Sequence, residues 1–161
     1  ERLAGDGYLF PRRVVTRPAG PGEDCVPATA QEFAVRESSG AFALSWRAHG
    51  LAYGIPADVI ERVRAGDVVI GNVSRSVLAE LGGRFDRARI VRITAPDDVR
   101  RSRIAARGRE DDAALAARLD RADPAPLHPV DLEIVNDGTL AEAGDALVGF
   151  LRQIAAAERP S

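Results

Sequence analysis

Two stretches of the chain combine guanidinium and phenol groups with flexible backbone. Arg13 and Arg17 lie in an arginine-bearing segment that runs into a Gly/Pro-rich loop, and Tyr53 follows a His-Gly turn. An arginine pairs with a phosphate through charge-assisted, often bidentate hydrogen bonds, each worth roughly 1.5–3 kcal/mol. These residue types together indicate a binding site for a phosphorylated small molecule.

The spacing of the two arginines fits a ligand with two anionic groups. On a regular strand, Arg13 and Arg17 share one face and lie roughly 13 Å apart. A single phosphate could reach both only if the strand bends, whereas a ligand with two phosphates could reach both directly. The alternative interpretation is a solvated strand edge that carries arginines and binds nothing.

Polar side chains also follow four of the expected strands. They are Thr16 with Arg17, then Asn72, Ser74 and Arg75, then Thr94, and last Asn136 and Asp137. Such residues often serve only as caps or turn formers. Because ligands bind beyond the carboxyl ends of the strands in open α/β sheets, four polar ends at one edge predict a shared site.

A second basic group lies further along the chain. Its arginines are Arg107, Arg109, Arg118 and Arg121, the last two being three positions apart and hence on one helical face. One interpretation is an exposed helix pair whose arginines contact neighbouring acidic residues. The other is a mobile lid whose arginines close on a phosphoryl group during transfer.

Hydrophobic periodicity and turn residues predict the elements that hold these groups. Strands are expected at about 10–17, 41–48, 51–53, 67–73, 89–94 and 130–136. Helices are expected at about 29–37, 56–66, 74–81, 96–107, 111–122 and 140–156. Thr29 and Glu32 form a capping box, and Pro56 suits the first position of a helix whose apolar stripe includes Ile55. The alternation of strands and helices predicts a layered α/β fold with a mainly parallel sheet.

The composition is that of an ordinary globular protein. The chain has 161 residues, enough for one domain with a core, and 45% of them are hydrophobic. Its net charge of −2 argues against general nucleic-acid binding, and it has no apolar run long enough to span a bilayer. We therefore expect a single cytoplasmic domain over residues 1–161, with neither nucleic acid nor membrane as partner. A homo-oligomer stays open, without support from the sequence.

Metal and nucleophile chemistry have little support in the sequence. His49 and His128 are far apart and lack matching ligand spacing, so we assign no metal site. Cys25 is the single cysteine and follows two acidic residues, whose charges disfavour a thiolate nucleophile.

Short motifs in a fixed order carry a resemblance over residues 12–140. They are VTR at 15–17, GED at 22–24, FALSW at 42–46, HGLAYG at 49–54, AGDV at 65–68, NVSR at 72–75, RGRE at 107–110, ARL at 117–119 and NDG at 136–138. In this order the chain resembles guanylate-kinase-like P-loop kinases, and more closely their ribose 1,5-bisphosphate phosphokinase branch. The resemblance implies a three-layer α/β fold around a central, mostly parallel sheet.

That resemblance implies an ATP-dependent kinase with Mg²⁺ as cofactor. The branch transfers the γ-phosphoryl group of ATP to the 1-phosphate of ribose 1,5-bisphosphate, giving 5-phosphoribosyl 1-diphosphate and ADP, in phosphonate catabolism. The implied partners are ATP and a phosphorylated sugar. Two alternatives stay open: a nucleoside monophosphate kinase of guanylate-kinase type, and a non-catalytic module that binds a phosphorylated ligand and lacks the ATP loop.

The resemblance also assigns an acceptor-binding part at about residues 12–56. Arg13, Arg17 and Tyr53 resemble the pocket for the acceptor's phosphate. Glu23 and Asp24 resemble the acidic part of the loop that covers the acceptor. The residues that would face the sugar or its anomeric phosphate are Asn72, Ser74 and Arg75.

On the donor side, the resemblance implies a lid at about residues 107–122. Arg107 resembles the lid arginine that lies against adenine, and Arg118 the one that reaches the ATP phosphates, with Arg109 beside them as a further catalytic candidate. Asn136 and Asp137 resemble the turn near the adenine edge.

Two features depart from the guanylate-kinase pattern. Leu44 stands where guanylate kinase has a glutamate that accepts hydrogen bonds from guanine, and an apolar side chain cannot read a base. The chain also has no lysine, so it lacks the Gly-rich loop ending in Gly-Lys that cradles the donor phosphates. We interpret residues 1–3 as the tail of a helix and expect a strand–loop–helix unit of roughly 25–30 residues before them, without which the chain is expected to be inactive.

Overall fold

A computed structural model gives the fold and describes residues 3, 7–20, 23–105 and 128–158. The chain forms two compact units, Glu1–Ala88 and Arg89–Ser161. In each unit, helices accompany short paired strands.

The first unit contains most of the described strands. These are β1 Tyr8–Leu9, β2 Arg13–Val15, β3 Cys25–Pro27, β4 Phe42–Ala48, β5 Leu51–Pro56 and β6 Val68–Val69. Its helices are α1 Ala30–Ser38, α2 Asp58–Arg64 and α3 Leu78–Arg84, the last preceded by a 3₁₀ turn at Arg75–Val77.

Four of these strands form a mixed sheet in the order β3-β2-β5-β4. The pair β2 and β3 is parallel, whereas β5 runs antiparallel to both β2 and β4. The β4–β5 hairpin turns through His49 and Gly50, whose φ angles of 54° and 71° are both positive. Positive φ at both central residues is the geometry of a type I′ turn, which matches the twist of the strands it joins. The strands expected at 41–48 and 51–53 are therefore confirmed, and they pair as a hairpin whose second strand is longer than expected.

Helix α1 lies beside this sheet and begins at the predicted cap. The Thr29 side chain accepts from the Glu32 backbone, and the Glu32 carboxylate accepts from the Thr29 backbone at 2.7 Å. Phe33 of this helix is 1% exposed and stacks on Phe42 at a centroid distance of 4.7 Å. The capping box thus fixes the start of α1, and one buried aromatic residue attaches the helix to the sheet.

The predicted start of the second helix is wrong. Pro56 is the last residue of β5 and lies opposite Phe42, and Ile55 is buried in the same strand rather than on a helix face. Helix α2 begins at Asp58 instead. Proline is compatible with a strand end, and the ladder with β4 continues far enough to keep both residues extended.

Two other strand predictions are shortened. The segment predicted at 10–17 contains only Arg13–Val15 as a strand, and the run predicted at 67–73 contains only Val68–Val69. The strand Val68–Val69 pairs in parallel with β1 and is half-buried. Neither β1 nor β3 was expected, because each depends on pairing with a strand remote in sequence.

The second unit contains a parallel pair of strands with two described helices. Strand β7, Val91–Thr94, pairs with β8, Leu132–Val135. The helices are α4, Asp97–Ala105, and α5, Leu140–Glu158. The helix predicted at 111–122 lies outside the described residues. In the described part of the chain, no helix combines the length and the apolarity that crossing a bilayer requires.

Among the described strands, the expected polar ends belong to three separate sheets. Thr16 follows β2 in the mixed sheet, and Asn72 comes after β6 in a separate pair. Thr94 is the last residue of β7 and Asn136 follows β8, both in a third sheet. Strands β7 and β8 do place their ends together, because the backbone N–H of Asn136 donates to the Thr94 carbonyl at 2.7 Å. For Thr16 the prediction of one shared sheet was wrong, because β2 pairs within a mixed sheet that does not include β6, and its sequence does not reveal that pairing.

Candidate active site

A cationic and aromatic stack lies in the first unit. The Arg13 Cζ atom is 5.9 Å from the centroid of the Tyr53 ring, and Tyr53 stacks on Trp46 at 5.4 Å with 5° between the planes. Arginine is attracted to an aromatic face at such a distance. The Arg13 Nη1 atom also donates to the Asn72 carbonyl at 3.4 Å. Arg13 is thus held by an aromatic ring and by the backbone that follows β6.

The strand register produces this stack. Tyr53 lies opposite Val15 on one side and opposite Trp46 on the other, so the Trp46 and Tyr53 rings meet as a cross-strand pair. Trp46 is only 7% exposed and belongs to the apolar core of the unit. The buried indole therefore supports the more exposed phenol, which in turn carries the guanidinium.

Arg17 lies beyond β2 and is paired with a carboxylate. Its Nη2 atom is 2.7 Å from Glu23 Oε2, and its Nη1 atom donates to the Pro18 carbonyl at 3.1 Å. The hydrogen bond with Glu23 raises the pKa of Arg17. Arg17 therefore stays cationic.

The second acidic residue of the predicted covering loop also has a cationic partner. Asp24 pairs with Arg12 Nε at 2.5 Å, and Arg12 Nη2 donates to the Cys25 carbonyl at 3.2 Å. Together with the pair between Glu23 and Arg17, this places each acidic residue of the loop against an arginine of the β2 segment. An incoming phosphate would compete with Glu23 for Arg17.

The structure differs from the expected placement of the two arginines on one strand. Strand β2 ends at Val15, so Arg17 is not part of it and the roughly 13 Å spacing of a regular strand does not apply. Arg13 and Arg17 contact different groups, Tyr53 and Glu23 respectively. They offer two separate cationic centres.

The residues expected to face the sugar lie after β6. Asn72 contributes its backbone carbonyl to Arg13, as described above. The Ser74 hydroxyl accepts from the Ser76 backbone at 3.3 Å and from the Ser76 hydroxyl at 2.9 Å, which caps the 3₁₀ turn. Arg75, the first residue of that turn, is exposed. The structure therefore brings Asn72 to Arg13, whereas Ser74 has a local structural bond.

Leu44 lies inside the apolar core. It is 4% exposed and clusters with Trp46, Ile55, Val59 and Val77. A buried leucine among apolar neighbours offers no hydrogen-bond partner to a base, and burying an unpaired base edge there would cost free energy.

In the second unit, the turn after β8 is held from several sides. The backbone N–H of Asn136 donates to the Thr94 carbonyl, and the Arg103 guanidinium donates to the backbone carbonyls of Asn136 and Gly138, each at 2.9 Å. The turn then enters α5 through a capping interaction in which the Thr139 amide donates to Glu142 Oε2 at 2.7 Å. This bond and the one from the Thr139 hydroxyl lower the pKa of Glu142.

A shallow cleft adjoins this turn. Its lining residues are Ile134, Val135, Asn136, Asp137, Gly138, Thr139, Glu142, Ala143 and Ala146. The side-chain amide oxygen of Asn136 is buried and has no hydrogen-bond partner among the described residues. Buried acceptors are almost always paired in native proteins, so this oxygen is chemically suited to a donor on a ligand.

Sequence reasoning missed Arg103. It lies in a helix that also carries Arg100 and Arg101, and its bonds reach 33 and 35 residues along the chain. No local pattern distinguishes it from its neighbours.

Other predicted residues cannot be placed. Arg107, Arg109 and Arg118, with the proposed lid at 107–122, lie outside the described residues. Within the described part of the chain, no group of three His, Cys, Asp or Glu side chains could hold a metal ion.

No family model matches the chain. The guanylate kinase of Anaplasma phagocytophilum has a similar structure, with a TM-score of 0.71 and 19% identity over 93% of this chain and 77% of that one. This similarity confirms the guanylate-kinase-like P-loop kinase fold that the motifs implied.

Curated relatives are considerably more similar in sequence. The ribose 1,5-bisphosphate phosphokinase PhnN of Pseudofrankia inefficax is 52% identical over 148 residues, which cover 92% of this chain and 78% of the relative. The protein of the same name from Methylobacterium radiotolerans is 48% identical over 151 residues, covering 93% and 84%. The chain is accordingly an enzyme of the ATP-dependent kinase class, and it belongs to the ribose 1,5-bisphosphate phosphokinase family.

Proposed function

We propose that the protein transfers the γ-phosphoryl group of ATP to the 1-phosphate of ribose 1,5-bisphosphate. The bond between the γ-phosphorus and its bridging oxygen breaks, and a new P–O–P bond forms on an oxygen of the acceptor's 1-phosphate. The products are ADP and 5-phosphoribosyl 1-diphosphate. The observation that carries the proposal is 52% identity, over 92% of the chain, to a relative named for this kinase activity.

Two cationic centres support a bisphosphate as acceptor. Arg13 is held over Tyr53 and against the Asn72 carbonyl, whereas Arg17 is held by Glu23. Because the two guanidiniums have different supports, each can pair with its own phosphate group. When a phosphate of the acceptor displaces the Glu23 carboxylate from Arg17, the arginine still has an anionic partner.

The apolar surroundings of Leu44 support an acceptor without a base. In guanylate kinase the equivalent position reads guanine, but here it is 4% exposed and lies among aliphatic and aromatic side chains. A site that offers a base no hydrogen-bond partner discriminates against it, since the base loses its bonds to water. The sugar would instead lie near Asn72, Ser74 and Arg75.

The proposed reaction needs no general base. The second pKa of a phosphate monoester is about 6, so the attacking oxygen is already anionic near neutral pH. Catalysis then depends on positioning and on neutralising charge as the phosphoryl group moves. We assign the charge neutralisation to Arg118 and Arg109, and the contact with adenine to Arg107, Asn136 and Asp137.

The nucleotide would bind at the turn after β8. Among the described residues, no donor reaches the side-chain amide oxygen of Asn136, and the adenine amino group is a donor of the required kind. Mg²⁺ belongs to the proposal as the companion of ATP. Because the described residues offer it no cluster of ligands, we assign it no protein ligand and no step. A cytoplasmic location, where ATP and phosphorylated sugars occur, completes the proposal.

Phosphorus NMR of a reaction mixture tests the proposal. The full-length protein is incubated with MgATP and ribose 1,5-bisphosphate, and we expect the acceptor's 1-phosphate signal to be replaced by the two coupled signals of a diphosphate as ADP appears. ADP formed only with nucleoside monophosphates would establish the nucleotide-kinase alternative. Binding of the bisphosphate without any ADP formation would establish the non-catalytic module.

A further inference from the structure

Among the described residues of the second unit, Arg103 makes a two-point polar contact with a turn remote in sequence. It is half-buried near the carboxyl end of α4, and its two terminal nitrogens donate to the carbonyls of Asn136 and Gly138, each at 2.9 Å. The planar guanidinium donates along two parallel directions at once, so one side chain fixes the orientation of two peptide groups in a single turn. Asp137 lies between those two peptide groups.

Two backbone hydrogen bonds besides those of Arg103 hold the two ends of this turn. The backbone N–H of Asn136 donates to the Thr94 carbonyl, and the backbone N–H of Thr139 donates to the Glu142 carboxylate. Between these points, the Arg103 bonds are the described contacts that hold the carbonyls of Asn136 and Gly138. The conformation of the turn therefore depends on Arg103.

We infer that Arg103 is a positioning residue for the nucleotide, which sets the shape of the Asn136–Gly138 turn that receives adenine. This inference rests on the proposed function, because it takes that turn as the adenine site. Arg103 need not touch ATP. Its two bonds draw the carbonyls toward α4 and leave the Asn136 side chain to meet the base.

Lysine at this position separates positioning from charge. A lysine keeps the positive charge and most of the side-chain length, but its single ammonium cannot reproduce the planar two-point contact. Arg103→Lys should therefore loosen the turn while the helix and its charge persist. Arg100→Lys is the matched control, because Arg100 lies on the same helix and bonds Asp97 of that helix at 3.0 Å.

The experiment measures ADP binding by calorimetry and steady-state kinetics on the full-length protein. We expect Arg103→Lys to raise both the Kd for ADP and the KM for ATP about tenfold, and to reduce the preference for ATP over GTP. The acceptor KM should change less than about twofold, and the Arg100→Lys control should match wild type in every measurement. Arg103→Gln, checked by its Tm, provides a second variant if the lysine variant folds poorly.

The outcomes separate this inference from the function on which it depends. Unchanged ADP affinity in a folded Arg103→Lys protein would overturn the inference alone, as would an equal rise in both KM values, which indicates general loosening. A wild-type protein that binds neither ADP nor ATP would overturn the proposed function itself.

Discussion

Glu23 holds the guanidinium of Arg17 at 2.7 Å, so an arginine assigned to the acceptor's phosphate already has an anion against it. The same carboxylate oxygen also accepts from the Gly20 amide at 3.4 Å. If Arg17 binds the acceptor's phosphate, as we propose, that phosphate must replace this carboxylate. The ion pair would then oppose acceptor binding while it keeps Arg17 in place.

Substitutions on the two sides of this pair should have opposite effects. Arg17→Ala should raise the acceptor KM by about tenfold or more, because a charge-assisted bond to phosphate is lost. Glu23→Gln should lower the acceptor KM by about two- to fivefold, since removing the competing charge releases an ion pair of modest strength. Steady-state kinetics with the acceptor varied measures both.

The control for these variants is Arg64→Ala. Arg64 is an exposed arginine on α2 that pairs with Glu61 of the same helix, so its loss removes a surface ion pair that includes no residue assigned to the site. An unchanged acceptor KM in Arg17→Ala, or a raised one in Glu23→Gln, would contradict the assignment.

Arg118→Ala should affect turnover rather than acceptor binding. If Arg118 neutralises charge on the phosphoryl group in transfer, its loss should lower kcat on the order of a hundredfold, with little change in the acceptor KM. Single-turnover measurements with radiolabelled ATP separate this step from product release. A folded variant with wild-type kcat would indicate that Arg118 lies on an ordinary exposed helix face.

The contact between α1 and β4 makes stability depend on pH. Glu37 accepts from Arg47 at 2.6 and 3.0 Å and from the Ser45 hydroxyl at 2.7 Å, which lowers the pKa of Glu37 to about 2. Since its folded pKa lies below its ordinary value of 4.5, the stabilisation is complete above pH 4.5 and is lost as the pH falls from 4.5 toward 2. The groups are partly exposed, so we expect about 1 kcal/mol or less.

Urea unfolding at a series of pH values measures this effect. The loss of stability between pH 4.5 and 2 should be smaller in Glu37→Gln than in wild type. Ser45→Ala should reduce it in part, because it removes the second bond to the same carboxylate. Identical pH profiles for wild type and Glu37→Gln would show that the ion pair contributes nothing.

Gly54 should tolerate no added methyl group. A Cβ atom at Gly54 would lie 2.6 Å from two atoms of the Phe42 ring, which is itself stacked on Phe33. Gly54→Ala should therefore lower the free energy of unfolding by roughly 1–3 kcal/mol through overpacking. Gly82→Ala is the control: it lies within α3 with open space around it, and should raise stability by about 0.5–1 kcal/mol. Thermal unfolding compares the two, and a stabilised Gly54→Ala protein would contradict the packing.

Sequence motifs of a few neighbouring residues correctly predicted the helix cap and the hairpin turn, because residues close in sequence form both. Thr29 and Glu32 are three residues apart, so their capping box is visible in the sequence and confirmed in the structure. The turn at His49 and Gly50 was equally visible, because a short turn sequence separates two apolar runs.

Predictions failed where a distant partner decides the conformation. Proline at position 56 is typical of the first turn of a helix, but the pairing of Pro56 with Phe42 keeps it in β5. Cys25 begins a strand that exists only beside Arg13 of β2. Arg103 contacts a turn more than thirty residues away and resembles its helical neighbours, so its role required the structure.

For the candidate site, the sequence indicated which residues take part but not which of them contact each other. Arg13 and Tyr53 were selected by residue type, and the structure brings them together. The bond of Glu23 to Arg17 was not expected, although both residues had been selected, because nothing in a sequence shows which side chains meet across a loop.

The most direct measurement of the central claim is acceptor discrimination by the full-length protein. We predict that kcat/KM for ribose 1,5-bisphosphate exceeds kcat/KM for GMP and AMP by on the order of a hundredfold or more, because two arginines can bind two phosphates while Leu44 offers a base nothing. Comparable or higher kcat/KM for GMP would contradict the account and assign the protein to nucleotide phosphorylation.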